Sequence, residues 1–215
     1  MPVPTGSKTM RGILILSLGL LALGLTPLLR SARQPVPTGA STVLQMDIDE
    51  QLDASQLVIE GTVLSATPVR DGGGHVLTDY EIAVDRTFLG DDLPVRTVRL
   101  PGGALPNGLV TMVPGVPQLS VGEDVLLMLT ESGARDLRLP VGLSQGKYRL
   151  ESSPGRPRRA VREHGNVAWI DSVTGAVHRG EGTEAVSYAD LSSRIQASLI
   201  GRAHRRAAST RFGAK

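Results

Sequence analysis

The amino-acid sequence predicts a mainly β protein: a small β-barrel with a short N-terminal helix and a C-terminal helix. From residue 56 onward apolar residues recur with a period of two, the spacing of strands that bury one face. Glycine and proline, 25 and 14 of 215 residues, punctuate these runs. Strand patterns are not interleaved with helical ones, which argues against a parallel-sheet enzyme fold.

Each element has its own signal. Asp47-Ile-Asp-Glu-Gln-Leu-Asp-Ala-Ser55 reads as a short helix: Asp47 caps it, Asp49 and Glu50 sit at its positive end, and Ile48 and Leu52 share a face. Leu57, Ile59 and Val63 then alternate with Glu60 and Thr62, and Asp71-Gly-Gly-Gly-His75 turns the chain. Tyr80, Ile82, Val84 and Phe88 face one side of a long strand, opposed by Asp79, Glu81, Asp85 and Thr87. Leu89-Gly-Asp-Asp92 ends it; residues 95–100 give another strand, and Pro101-Gly-Gly103 breaks the chain.

Residues 104–120 are rich in glycine and proline, with a short strand expected around 109–113. Val125-Leu-Leu-Met-Leu129, bounded by charges, predicts a strand buried on both faces. Residues 137–141 and 147–151 give two further strand segments around Ser144-Gln-Gly146. Residues 154–162 read as a basic loop, and 166–170 with 176–178 as a hairpin joined by Asp171-Ser-Val-Thr-Gly175. Ser187 caps a terminal helix, with Asp190 three residues on. Tyr188, Leu191, Ile195 and Leu199 form its apolar stripe.

Four segments follow. Residues 1–40 are a signal peptide or membrane anchor with a Pro/Gly linker, and 41–153 an acidic β-barrel-like domain. Residues 154–200 form a basic loop, hairpin and helix packed on it, and 201–215 a basic, disordered tail. Charge supports the division: residues 41–153 hold 8 basic and 16 acidic residues, whereas 154–215 hold 11 and 5.

The first 40 residues carry no acidic side chain, only Lys8, Arg11, Arg30 and Arg33, and residues 12–29 are uncharged. A short basic leader before such a run is a secretory signal, although its length approaches the roughly 20 residues that span a bilayer. Two readings follow. Cleavage after Thr38-Gly-Ala40 gives a periplasmic or secreted protein; retention gives one anchored in the inner membrane. The sequence has no cysteine, which excludes a lipid-anchored lipoprotein, disulfides, thiolate metal sites and cysteine nucleophiles.

Gly142-Leu-Ser-Gln-Gly146 matches the G-x-S-x-G nucleophile elbow, with Asp171 and His178 following in hydrolase order. That motif needs a helix after the serine, and Lys147-Tyr-Arg-Leu150 is a strand pattern, so Ser144 is expected in a turn. His75, His164, His178 and His204 lack helical metal-ligand spacing, and neither Asp91-Asp92 nor Asp47 with Asp49 completes a calcium ladder. The glycines of residues 71–75 lack the lysine and helix of a phosphate loop. No cofactor and no metal are predicted. The basic residues after 154 have few aromatics to stack bases, so nucleic acid is not expected; they read as a solvated tail, with contact to an anionic membrane or to an acidic protein face as the alternative.

Residues 53–148 also resemble a group of exported bacterial proteins of uncharacterised function. The resemblance rests on Leu57-Val-Ile-Glu-Gly-Thr-Val63, Tyr80-Glu-Ile-Ala-Val-Asp-Arg-Thr-Phe-Leu-Gly90 and Pro101-Gly-Gly103. It continues through Val113-Pro-Gly-Val-Pro117, Val121-Gly-Glu-Asp-Val-Leu-Leu-Met-Leu129 and Val141-Gly-Leu-Ser-Gln-Gly-Lys-Tyr148. It implies a structural role for the last segment. The opening order, a helix and two strands ending in Gly-x-Val and Phe-Leu-Gly, is similar to OB-type netrin-like and metalloprotease-inhibitor domains. Their cysteine-based inhibition cannot transfer to a cysteine-free chain. Gly61, Tyr80, Gly102, Gly103, Gly122, Gly142 and Gly146 are expected to matter for the fold. The expected function is an exported, non-enzymatic binding or accessory module with an unidentified protein or envelope component as partner. The alternatives are a secreted serine hydrolase using Ser144 and a membrane-anchored envelope structural protein.

Overall fold

The computed structural model describes residues 41–163, 167–171, 173–179 and 182–212. The leader, its apolar run, the proposed cleavage sequence and His164 lie outside these residues. Among the described residues no helix is long and apolar enough to cross a membrane.

A short strand β1 (Ser41–Leu44) leads into helix α1 (Ile48–Ala54). Asp47 accepts from the Glu50 amide while the Glu50 carboxylate accepts from the Asp47 amide, a reciprocal cap that satisfies two donors. Strands β2 (Leu57–Arg70) and β3 (Val76–Leu89) form a long hairpin, followed by β4 (Val95–Pro101) and the two-stranded ribbon β5 (Gly103–Ala104) and β6 (Val110–Thr111). Then come β7 (Asp124–Leu129), β8 (Lys147–Ser153), β9 (Arg156–Glu163), β10 (Val167–Ile170), β11 (Val177–Arg179), β12 (Thr183–Ser187) and helix α2 (Tyr188–Phe212).

Seven strands make one antiparallel sheet in the order β12-β9-β8-β7-β2-β3-β4, and β1 pairs in parallel with β10 in a three-stranded sheet with β11. The mainly β class with a helix at each end stands, but the sheet is not closed into the expected barrel: β12 and β4 are its two free ends. The physical reason lies in β7. Leu127 and Leu129 pack on one face with Leu57, Ile59, Tyr80, Ile82, Val98 and Leu100; Leu126 and Met128 pack on the other with Val58, Tyr148 and Leu150. A strand apolar on both sides needs two covers. Leu119 from the loop after β6 joins the first core; Ile48 and Leu52 of α1 with Leu191 and Ile195 of α2 complete the second. Curling is local: Leu137 bridges to Arg99 of β4 and Pro140 to Leu129 of β7, so this segment wraps one end of the sheet instead of forming the strand expected there.

Three other expectations change. Residues 156–163 are β9, not a basic loop, because they pair with β8 and β12 on either side; residue 153 is therefore no boundary. Residues 41–44, placed by sequence at the start of the domain with no element of their own, form β1 because β10 offers a partner edge. Helix α2 continues through Gly201 to Phe212 rather than fraying into a tail. Arg202 is buried and its guanidinium donates to the carbonyls of Leu52 and Ser55, closing the C-terminal end of α1, while Arg205 reaches Asp53 at 3.4 Å. Two cations that sequence assigned to a free basic tail are thus engaged within the domain.

Candidate functional site

The Gly142–Gly146 segment is a turn consumed by packing. Gly142 adopts φ 63°, Leu143–Gly146 close a 3₁₀ turn, and the chain passes directly into β8. A Cβ on Gly146 would lie 2.6 Å from the Val141 nitrogen and 2.8 Å from the Met128 carbonyl oxygen, so only glycine fits between these backbones. Gln145 is fully buried: its Nε2 donates to the Leu44 carbonyl and its Oε1 accepts from the Met46 amide, both at 2.9 Å. The amide side chain thus ties the turn to the segment joining β1 and α1, as a strand neighbour would. Ser144 is buried in the same turn. No helix follows it, so the backbone geometry of a nucleophile elbow is not formed. Asp171 serves its hairpin, accepting from the Val173 and Thr174 amides at 2.8 and 2.7 Å. The side chain of His178 lies outside the described residues.

The next residue binds two motifs together. Lys147 Nζ stands 2.7 Å from Glu123 Oε1 and donates to the Gln118 carbonyl at 3.1 Å, while the Tyr80 hydroxyl donates to Gln118 Oε1. The Lys147 and Glu123 side chains are only 11% and 8% exposed. Burial pushes the Tyr80 phenol above its ordinary range.

Sequence reasoning missed a second polar cluster. Glu60, placed by alternation with Thr62 on a polar face, is buried beneath α2. Its carboxylate accepts from Arg158 and from the Tyr188 hydroxyl, and Arg158 lies over the Tyr188 ring at 4.8 Å. Thr62 donates to Asp124 at 2.6 Å, and Arg86 donates to Ser192. Burial first, and the Glu60 carboxylate second, raise the Tyr188 phenol. The partners of Glu60 lie 98 and 128 residues away, so no local pattern could have paired them.

At the tip of the β2–β3 hairpin, Asp71 Oδ1 accepts from the Gly73 and His75 amides at 2.9 and 2.8 Å, and Oδ2 stands 3.0 Å from Arg135 Nε. The backbone hydrogen bond from His75 holds its carboxyl below the usual range. The glycine-loop amides thus turn inward onto a carboxylate. Among the described residues no group of three or more His, Cys, Asp or Glu side chains is placed to hold a metal.

Two of the surfaces among the described residues present side chains that packing does not absorb. One is the β5–β6 ribbon, whose turn is ordered by Leu105 N donating to the Leu109 carbonyl and Gly108 N to the Leu105 carbonyl. Leu109, Val110 and Met112 there are 43%, 59% and 78% exposed. The other is a recess of about 230 Å³ where β2 begins, lined by Gln56, Leu57, Gly90 and the charged residues Asp91, Arg96, Glu131 and Arg138. Comparison of the chain with protein-family models, with curated proteins and with solved structures finds no match.

Proposed function

We propose that this protein is an exported, non-enzymatic binding or accessory module that recognises a protein of the cell envelope or extracellular space through the β5–β6 ribbon. One observation carries the reading: three large apolar side chains, Leu109, Val110 and Met112, stand exposed within four residues from the end of an ordered turn to just past β6. Single exposed apolar residues are ordinary, whereas a contiguous group held in place is what interaction surfaces present. Export rests on the basic leader and apolar run of the first 40 residues, and the resemblance to exported bacterial proteins supports it. The packing of the Ser144 turn supports a non-hydrolytic role.

The test is capture by immobilised full-length protein from envelope extract and culture fluid, beside a Val110→Glu/Met112→Glu variant of unchanged melting temperature. The reading expects a saturable partner retained by the parent and lost by the variant. Retention of the same proteins by both, or of none, overturns it.

A further inference from the structure

The recess at the start of β2 combines charges in an unusual way. The Asp91 and Glu131 carboxylates and the Arg138 guanidinium make no side-chain ion pair or hydrogen bond with any described residue; Arg96 makes one, from Nη2 to the Asp91 carbonyl at 2.7 Å. Oppositely charged side chains lining one small recess would ordinarily pair when free to do so. Here separate elements hold them. Asp91 belongs to the β3–β4 connection and Arg96 to β4, whereas the Arg138 backbone amide is fixed to the Arg99 carbonyl at 3.2 Å. Gly90, with φ 102° and Leu57 Cδ1 only 2.8 Å from where a Cβ would stand, keeps the wall thin between them. Arg96 Nε is buried with no acceptor, so one donor of its guanidinium is left unsatisfied within the fold.

We propose that this recess binds a small zwitterion, a free amino acid or dipeptide. The ligand carboxylate would be taken by Arg96 and Arg138, and its ammonium group by Asp91 and Glu131. Guanidinium forks match a carboxylate in two parallel hydrogen bonds, and two carboxylates offer an ammonium its acceptors. The volume selects size: about 230 Å³ is below the roughly 300–1,000 Å³ of drug-sized sites, which suits one or two residues better than a nucleotide or oligosaccharide.

Calorimetry on the full-length protein with alanine, alanylalanine, N-acetylglycine, glycinamide and inorganic phosphate tests this. One of the two zwitterions should saturate below about 10 mM, with affinity falling as salt rises. N-acetylglycine and glycinamide, each lacking one charge, should bind at least about tenfold more weakly, as should the zwitterion to Arg138→Gln and to Glu131→Gln. Neither variant removes a side-chain hydrogen bond among the described residues, so unchanged melting accompanies the loss. Three results overturn the proposal. They are no saturation by any zwitterion; phosphate and N-acetylglycine binding as well as the zwitterion with Glu131→Gln silent, the behaviour of a plain anion site; and zwitterion binding unaffected by either variant.

Discussion

The two faces of the seven-stranded sheet each carry an apolar core but neutralise their charges at very different sequence distances. On the face carrying Leu127, the Glu123–Lys147 pair joins residues 24 apart, and the covering loop contributes Leu119 and the Gln118 carbonyl. On the face carrying Leu126, Glu60 receives Arg158 from β9 and Tyr188 from α2. The first pair closes a loop over a core; the second fastens a terminal helix to a strand near the start of the fold. Solvent access differs as well, since Lys147 is 11% exposed and Arg158 29%. Buried pairs are costly to break because the survivor keeps an uncompensated charge, and that cost falls where water can reach it.

That difference orders the expected effects. Lys147→Met should cost most, about 3 kcal/mol, because Glu123 is left buried with the Ser120 amide as its remaining donor. Chemical denaturation measures it, and adding Glu123→Gln should recover a large part of the loss. Glu60→Gln should cost less, about 1.5 kcal/mol, because Arg158 can hydrate and Asp124 stands 4.0 Å away. Equal costs for the two variants would break the comparison.

The smallest effect is alkaline. Burial raises the phenols of Tyr148 and Tyr188 on the helix-covered face above their ordinary value of 10.0. Above that pH the unfolded chain loses phenolic protons that the folded chain keeps, so stability should fall as pH rises past about 10. Tyr148→Phe should flatten the fall, read from melting temperatures across that range.

Much of the fold was legible because it is locally encoded. The five apolar residues of β7, the Asp47 cap, the Asp171–Gly175 connection and the stripe at Leu191 and Ile195 each announce their element within a few residues. What escaped was encoded at a distance. Arginines 156, 158, 159 and 162 look like a loop until β8 and β12 supply partners and Glu60 a counter-charge. Closure into a barrel was inferred from the run of short strands and the OB-like opening order, whereas the two-sided burial of β7 calls for helices on the second face. The turn at Ser144 was legible because a strand pattern follows it; its fastening by Gln145 to Leu44 and Met46 was not, being a contact across about a hundred residues.

We propose that the Gly142–Gly146 turn serves the fold while the β5–β6 ribbon serves contacts with a partner. The most direct test measures partner retention by full-length protein carrying Ser144→Ala beside the Val110→Glu/Met112→Glu variant. The account predicts retention by Ser144→Ala equal to the parent and at least a tenfold loss in the ribbon variant, about 1.4 kcal/mol or more of binding free energy. Loss with Ser144→Ala in a protein of unchanged melting temperature, with the ribbon variant binding normally, would contradict it.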